Sequence, residues 1–76
     1  MKAQRAKRYV LCLENGGFPA SLEVRKVYLA LADPEAQTRR LMRVIDESGE
    51  SYLYPSHYFV AIELPAAARK AISLSA

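Results

Sequence analysis

Side chains that can transfer a proton or attack a substrate near neutral pH are scarce in this chain. There is one histidine, His57, and one cysteine, Cys12. A nucleophile–base site needs a serine or cysteine within hydrogen-bond reach of a base that a third group orients. Cys12 stands within an apolar run, where a buried structural thiol is expected. His57 stands between Ser56 and Tyr58 in an expected turn, so we predict an exposed side chain there and no catalytic activity.

No metal or cofactor site is expected either. Zinc sites normally recruit several His or Cys ligands, and the chain has one residue of each type. Asp46, Glu47 and Glu50 form an acidic cluster, but its spacing matches no calcium loop. Carboxylates beside a glycine are common in hairpin turns, so we interpret the cluster as a solvated turn. Gly16-Gly17 lacks the Lys-Ser/Thr, or the spaced third glycine, of a phosphate-binding loop.

Tyrosines are the unusual feature of the composition, with five in 76 residues. Tyr52 and Tyr54 alternate with Leu53, so both rings fall on the face opposite Leu53. If Leu53 is in the core, the two rings point outward, where they offer a large contact area at low entropy cost. This pattern predicts a surface for an unidentified protein partner or a second copy of the chain, formed by Tyr28, Tyr52, Tyr54, Pro55 and Tyr58. The alternative is that these rings merely cover the ends of the fold.

Positive charge is concentrated at the N-terminus. The first eight residues carry four basic side chains and no acidic ones, and the rest of the chain holds seven basic against eight acidic residues. A nucleic-acid-binding body more often shows a basic face, and the arginines after residue 38 can form a small one. The alternative function is therefore an RNA- or DNA-binding module that contacts phosphates through Lys7, Arg8, Arg39, Arg40 and Arg43. A solvated basic tail is the competing interpretation of the N-terminus.

Length and composition are those of one small domain. Of the 76 residues, 51% are hydrophobic and 25% are charged, which is typical of a globular chain and not of a disordered one. A domain of this size has little room for a deep cavity, so no small-molecule substrate is expected. The longest apolar runs are far shorter than the roughly 20 residues of a membrane span. Together with the single cysteine, this predicts a cytoplasmic protein that does not bind membranes.

Period-two alternation predicts strands over most of the chain. Tyr9–Leu13 is rich in strand-forming residues and stops at an Asn-Gly turn. Alternation then covers Leu22–Arg25 and, after a break at Lys26, Val27–Leu31. Further on, the sequence predicts a hairpin of two strands, Leu41–Ile45 and Ser51–Tyr54. A single 3₁₀ turn at Pro55–Tyr58, a last strand at Phe59–Leu64 and a short helix at Ala66–Leu74 are expected to follow.

A helical alternative exists for the middle of the chain. Residues 20–32 also fit a helix with Pro19 in its first turn. Asp33-Pro34 is a stronger helix start, since Asp can cap the first N–H groups and Pro fits the first helical position. An α+β fold with helices at about 20–32 and 34–46 therefore competes with the mainly β fold.

The order of these elements resembles the Src-homology-3-like barrel. Leu22-Glu-Val-Arg-Lys26 is similar to the "ALSF-KKG" diverging turn of that fold, and Pro55-Ser-His-Tyr58 resembles its "PSNY" turn. The run from Tyr9 to Pro65 also resembles small bacterial proteins of this type that carry no established activity. They share strings like "SLE-RK-Y", "RVIDESGE-YLYP" and "YF-P-ELP". The resemblance implies a five-stranded barrel at 9–65. The residues on either side predict a flexible basic arm at 1–8 and a short C-terminal helix or tail at 66–76.

The resemblance does not extend to proline-rich peptide binding. Peptide-binding members resemble one another in an aromatic "ALYDY" first strand and a tryptophan that begins the third strand. Here the first strand is Val10-Leu-Cys-Leu-Glu14, and the chain has no tryptophan. Only the proline and tyrosine of the turn have counterparts, in Pro55 and Tyr58. We therefore predict a non-enzymatic protein-interaction module that does not recognise polyproline helices.

Overall fold

The structure, a computed structural model, describes residues 7–75, and side chains over residues 7–72. Five strands, two α-helices and one 3₁₀ turn follow one another along this part of the chain. The order is β1 Lys7–Cys12, β2 Val27–Leu31, α1 Pro34–Thr38, β3 Leu41–Ile45, β4 Ser51–Pro55, the 3₁₀ turn Ser56–Tyr58, β5 Phe59–Ile62 and α2 Ala66–Ser75. The prediction of a mainly β fold with a short C-terminal helix is confirmed.

All five strands pair antiparallel in one sheet, in the order β4-β3-β2-β1-β5. This order puts β4 and β5 at opposite edges, yet the rings of Tyr54 in β4 and Phe59 in β5 meet edge to face with centroids 6.2 Å apart. In a flat sheet four strand spacings would separate these edges by about 19 Å. The sheet is therefore strongly curled, and its two edge strands contribute side chains to one core.

The core lies on the concave side of the curled sheet. Alternate residues of successive strands supply it, as period two requires. The buried cluster comprises Val10, Cys12, Leu22, Tyr28, Ala30, Val44, Tyr54 and Phe59. Leu53 points to the opposite side and is 40% exposed. The tyrosines are expected to point outward only if Leu53 lies in the core, and Leu53 does not lie there.

Of the two alternative helices, only a short one forms, at the start signal Asp33-Pro34. Asp33 Oδ1 accepts a hydrogen bond from the Ala36 N–H at 3.1 Å, with Pro34 in the first turn, so α1 begins where the sequence predicts. It ends after Thr38, because Arg40 adopts a left-handed φ of 59° and β3 follows directly. The longer helix to residue 46 and the helix at 20–32 are wrong, since β3 and β2 occupy those segments.

The segment from residue 13 to 26 is an irregular loop, so the strand predicted at Leu22–Arg25 is wrong. Leu22 is nevertheless fully buried. The Leu22 N–H donates to the Phe18 carbonyl at 2.9 Å, and the Arg25 N–H donates to the Cys12 carbonyl at 2.7 Å. The first bond lies within a turn, and the second joins the end of the loop to the last residue of β1. A four-residue alternation is too short to distinguish this arrangement from a strand.

The ends of the chain differ in detail from the expected domain bounds. Lys7 and Arg8 belong to β1, opposite Leu31 and Ala30 of β2, so this part of the predicted arm is strand. The remainder of that arm, residues 1–6, lies outside the described residues. β5 ends at Ile62, two residues earlier than predicted. Neither α-helix of the described part has the length and hydropathy that crossing a membrane would require.

Candidate functional site

Two of the predicted contact tyrosines are core residues. Tyr28 is 6% exposed and Tyr54 is 8% exposed, whereas Tyr52 is 49% exposed. Pro55 and Tyr58 are half-buried, and Tyr58 packs against the core. The Tyr28 ring offers no surface to a partner and the Tyr54 ring only a small one, so the five residues do not form a single outward tyrosine face.

The buried tyrosines are held by carboxylates of the β3–β4 turn. The Tyr54 hydroxyl donates to Asp46 Oδ2 at 2.6 Å, and the Tyr28 hydroxyl donates to Glu47 Oε2 at 2.5 Å. These two acceptors come from adjacent residues, and each satisfies a phenol at the rim of the core. The interpretation of a solvated acidic turn is therefore wrong for Asp46, which is 6% exposed.

Both carboxylates are stabilised as anions. For Asp46, burial is the largest influence and raises the pKa, but the hydrogen bonds from Ser48 and Tyr54 together lower it below its usual value. For Glu47, the hydrogen bonds from Lys26 and then Tyr28 lower the pKa. Lys26 Nζ lies 2.6 Å from Glu47 Oε2. Among the described residues, no group of three His, Cys, Asp or Glu side chains is placed to hold a metal ion.

Cys12 and His57 occupy the positions expected of them. Cys12 is fully buried, and burial raises the pKa of its thiol, which disfavours the nucleophilic thiolate. The His57 side chain is 71% exposed, with Nε2 3.9 Å from Glu14 Oε1. A buried thiol and an exposed imidazole do not make an activated nucleophile.

A groove of about 670 Å³ lies where β1, β2, β3, α1 and the 3₁₀ turn meet. Its apolar lining residues are Ala30, Leu31, Ala32, Leu41 and Met42. Its charged lining residues include four of the five basic residues predicted to contact nucleic acid, namely Lys7, Arg8, Arg40 and Arg43. Arg39, the fifth, does not line it and instead lies 3.4 Å from Glu35 Oε2 across one helical turn. Separate parts of the sequence are thus gathered into one basic site.

Three backbone arrangements bring these cations together. Lys7 and Arg43 are both register partners of Leu31, on its two sides in the sheet. Arg40 follows α1 in a left-handed conformation, and its carbonyl accepts the Ser56 N–H at 2.9 Å. That bond fixes the α1–β3 connection against the 3₁₀ turn, whose His57 also lines the groove.

The groove carries a net positive charge. Arg43 Nε lies 2.8 Å from Asp33 Oδ2, and these side chains are only 28% and 16% exposed. Lys7, Arg8 and Arg40 are exposed, and none of them forms an ion pair with another residue of the described part. Four cations against one carboxylate leave three positive charges with His57 neutral.

A second, shallower cavity of about 370 Å³ lies at the other end of β3. Its lining residues are Phe18, Ser21, Asp46, Ser48, Tyr52 and Tyr54. The Phe18 ring is 52% exposed and meets Tyr54 with centroids 6.3 Å apart and planes at 68°. We call this feature the aromatic pocket. Sequence analysis missed Phe18, although a large apolar residue inside a Gly/Pro turn is the signal that marks it.

Comparison with protein-family models, curated proteins and solved structures finds no match to this chain.

Proposed function

We propose that the protein is a non-enzymatic module whose basic groove binds the phosphate backbone of a nucleic-acid strand. The observation that carries the proposal is the convergence of Lys7, Arg8, Arg40 and Arg43 on one groove. Clustered Lys and Arg side chains neutralise phosphates and release counterions, which supplies most sequence-independent affinity.

A ring beside the cations of the groove favours a single strand over a duplex. Proteins that bind single strands combine a basic channel with rings on which bases stack. The His57 ring lines the groove and is largely exposed, so it provides one such surface beside the cations. For three to four phosphate contacts, we expect a slope of about −2 to −3 in a plot of log affinity against log salt.

For the fold, we propose a Src-homology-3-like barrel. The order of elements agrees with it, including a long loop before β2 and a 3₁₀ turn before the last strand. The contact between Tyr54 and Phe59 supports it as well, since these residues belong to the two edge strands. Small barrels of this kind bind through grooves between loops, and this analogy is compatible with the groove described above.

The test uses two neighbouring arginines that differ in position but not in charge. Arg40→Asn removes a cation of the groove, and asparagine tolerates the left-handed backbone at this position. Arg39→Asn removes the same charge outside the groove. Fluorescence anisotropy with a labelled 12-nucleotide RNA and DNA at low salt measures the affinity. We expect a loss of about three- to tenfold for Arg40→Asn, because one phosphate contact is lost, and little change for Arg39→Asn.

Two results would contradict this proposal. Wild-type protein that has no measurable affinity for either oligonucleotide at low salt does not bind nucleic acid in this way. Equal losses in the two variants mean that net charge alone, and not the groove, governs binding.

A second candidate function is protein–protein interaction at the aromatic pocket. The specific observation is that Phe18 and Tyr52, both about half exposed, flank a concave site. Exposed aromatic residues are enriched at the energetic centres of interfaces. Of the five residues proposed from the sequence, Tyr52 and Tyr54 line this pocket. Loss of a captured partner on Phe18→Ser, with the fold preserved, is the expected result.

A further inference from the structure

Two tyrosine–carboxylate pairs of the same design lie side by side at the β3–β4 turn. In one pair Tyr28 donates to Glu47, and in the other Tyr54 donates to Asp46. Each pair joins a core-facing phenol to a carboxylate from one of two consecutive residues. The two pairs differ in what lies next to them.

The first pair holds a lysine of the chain itself. Lys26 Nζ lies 2.6 Å from Glu47 Oε2 and 5.6 Å from the centroid of the Tyr28 ring. This arrangement combines an ion pair with a cation–π contact. Within the chain, the alkylammonium group of Lys26 is thus bound by the Tyr28 ring and by Glu47, which also accepts the Tyr28 hydroxyl.

The second pair has no such partner within the described part of the chain. None of the ion pairs formed there involves Asp46, and the aromatic pocket has no basic lining residue. The Asp46 oxygens accept bonds from Ser48 and Tyr54, all from uncharged donors. The negative charge is therefore solvated by hydrogen bonds but not neutralised by a cation.

Three aromatic residues line the same cavity as Asp46, namely Phe18, Tyr52 and Tyr54. Phe18 and Tyr54 meet edge to face at 68°. The Tyr52 hydroxyl donates to Glu50 Oε1 at 3.2 Å, so a second carboxylate contacts one of the lining residues. Cation–π attraction is stronger where the contact is partly withdrawn from water, and the half-exposed rings of Phe18 and Tyr52 offer such a contact beside the Asp46 carboxylate.

We infer that the aromatic pocket binds the alkylammonium end of a lysine side chain presented by a partner protein, as Lys26 is bound by Tyr28 and Glu47 within the chain. The inference rests on the second candidate function and names the chemistry of its partner. Charge complementarity argues for this occupant, because an apolar side chain would leave the Asp46 charge without a counterpart. An acidic occupant would face both Asp46 and Glu50.

The test titrates the protein with three blocked pentapeptides that differ at their central residue. Gly-Gly-Lys-Gly-Gly carries the proposed group, trimethyl-lysine keeps its charge, and norleucine keeps the aliphatic stem without charge. Tetramethylammonium is the small-molecule arm. Ring resonances of Phe18 and Tyr52, followed by NMR, report binding. We expect both cationic peptides to shift these resonances in the millimolar range, with affinity that falls as salt rises, and norleucine to shift them little.

Matched variants locate the site. Tyr52→Ser and Phe18→Ser each remove one exposed ring, and each is expected to weaken binding of the lysine peptide about threefold or more. Leu53→Ser is the control, since Leu53 is the neighbour of Tyr52, is similarly exposed and lies on the other face of β4. It is expected to leave the affinity unchanged.

Each contrary outcome has a distinct meaning. Equal binding of norleucine and lysine peptides overturns the ammonium inference but leaves an apolar protein contact at this pocket. Binding of tetramethylammonium without either peptide overturns the protein source. A wild-type dimer in sedimentation that Phe18→Ser dissociates assigns the lysine to a second copy and overturns a separate partner. Absence of any shift overturns the site, whereas unchanged partner capture by Phe18→Ser overturns the second candidate function itself.

Discussion

Tyr58 closes over Gly16, so that a Cβ at Gly16 would overlap the Tyr58 hydroxyl and the ring carbon that bears it. Gly16 has a left-handed φ of 59° in the turn that follows β1, and Tyr58 ends the 3₁₀ turn that precedes β5. The Leu13 N–H also donates to the Tyr58 carbonyl, at 2.7 Å. The start of the long loop is therefore fitted to the last connection of the sheet.

We expect Gly16→Ala to destabilise the protein more than Gly17→Ala. Both glycines have positive φ, so both substitutions carry a backbone cost of about 1 kcal/mol. Only Gly16 adds an overlap with Tyr58, and overpacking of this kind costs a further 1–3 kcal/mol, roughly. Urea denaturation followed by circular dichroism measures the difference. Equal midpoints for the two variants would show that Tyr58 moves away without cost.

Tyr54→Phe is expected to lower the free energy of unfolding by about 1–3 kcal/mol, because it leaves Asp46 Oδ2 buried without its donor. Tyr52→Phe is the matched control, since the Tyr52 hydroxyl bonds an exposed carboxylate that water can solvate. It is expected to unfold at nearly the wild-type urea concentration. A wild-type midpoint for Tyr54→Phe would mean that the buried hydrogen bond contributes nothing to stability.

Stability is expected to fall as the solution is made acidic. The folded protein lowers the pKa of Asp46 and Glu47 below their ordinary values of 3.8 and 4.5, so the unfolded chain takes up protons first as the pH drops. This contribution is fully present above the ordinary values and is lost as pH falls through the lower, folded-state values. Thermal unfolding from pH 7 to pH 2 measures the loss, and Glu47→Gln should make the pH dependence shallower. An identical pH profile for this variant would exclude Glu47 as a source.

Asp33→Asn is expected to strengthen oligonucleotide binding without weakening α1. Asparagine caps helices as well as aspartate does, so the bond to the Ala36 N–H is retained. The substitution removes the carboxylate that pairs with Arg43, and the groove then has four positive charges against none. Affinity at low salt should rise several-fold. The slope of log affinity against log salt should become steeper by the amount that about one phosphate contact contributes. Unchanged or weaker binding by a folded variant would argue against the groove as the site.

Features that depend on neighbouring residues were predictable from the sequence. The hairpin of β3 and β4 follows from two alternating runs around a glycine turn, and the start of α1 follows from Asp33-Pro34. The 3₁₀ turn follows from a proline that ends β4. In each case the decisive interactions lie within about five residues, where local backbone preferences are strong.

The face that each strand buries was not predictable in the same way. Tyr52-Leu53-Tyr54 alternates equally well with either face inward, and hydropathy favours burying Leu53. Tyr54 is buried instead because Asp46 reaches its hydroxyl, and this acceptor lies eight residues away across the hairpin. For the groove, the sequence identifies the basic residues, but the left-handed backbone of Arg40 and the bond from the Ser56 N–H to its carbonyl are what separate Arg40 from Arg39.

The pairing of β1 with β5 has a consequence for biosynthesis. Tyr9 lies opposite Ile62, so the strand made first gains its second neighbour only when the strand made last appears. Phe59, which completes the buried cluster, arrives on that same strand. A nascent chain that ends before Phe59 has one edge of β1 without its hydrogen-bonding partner strand, and its core lacks the Phe59 ring. Acquisition of the native state must therefore wait for almost complete translation of the described region, as expected for sheets closed by distant segments.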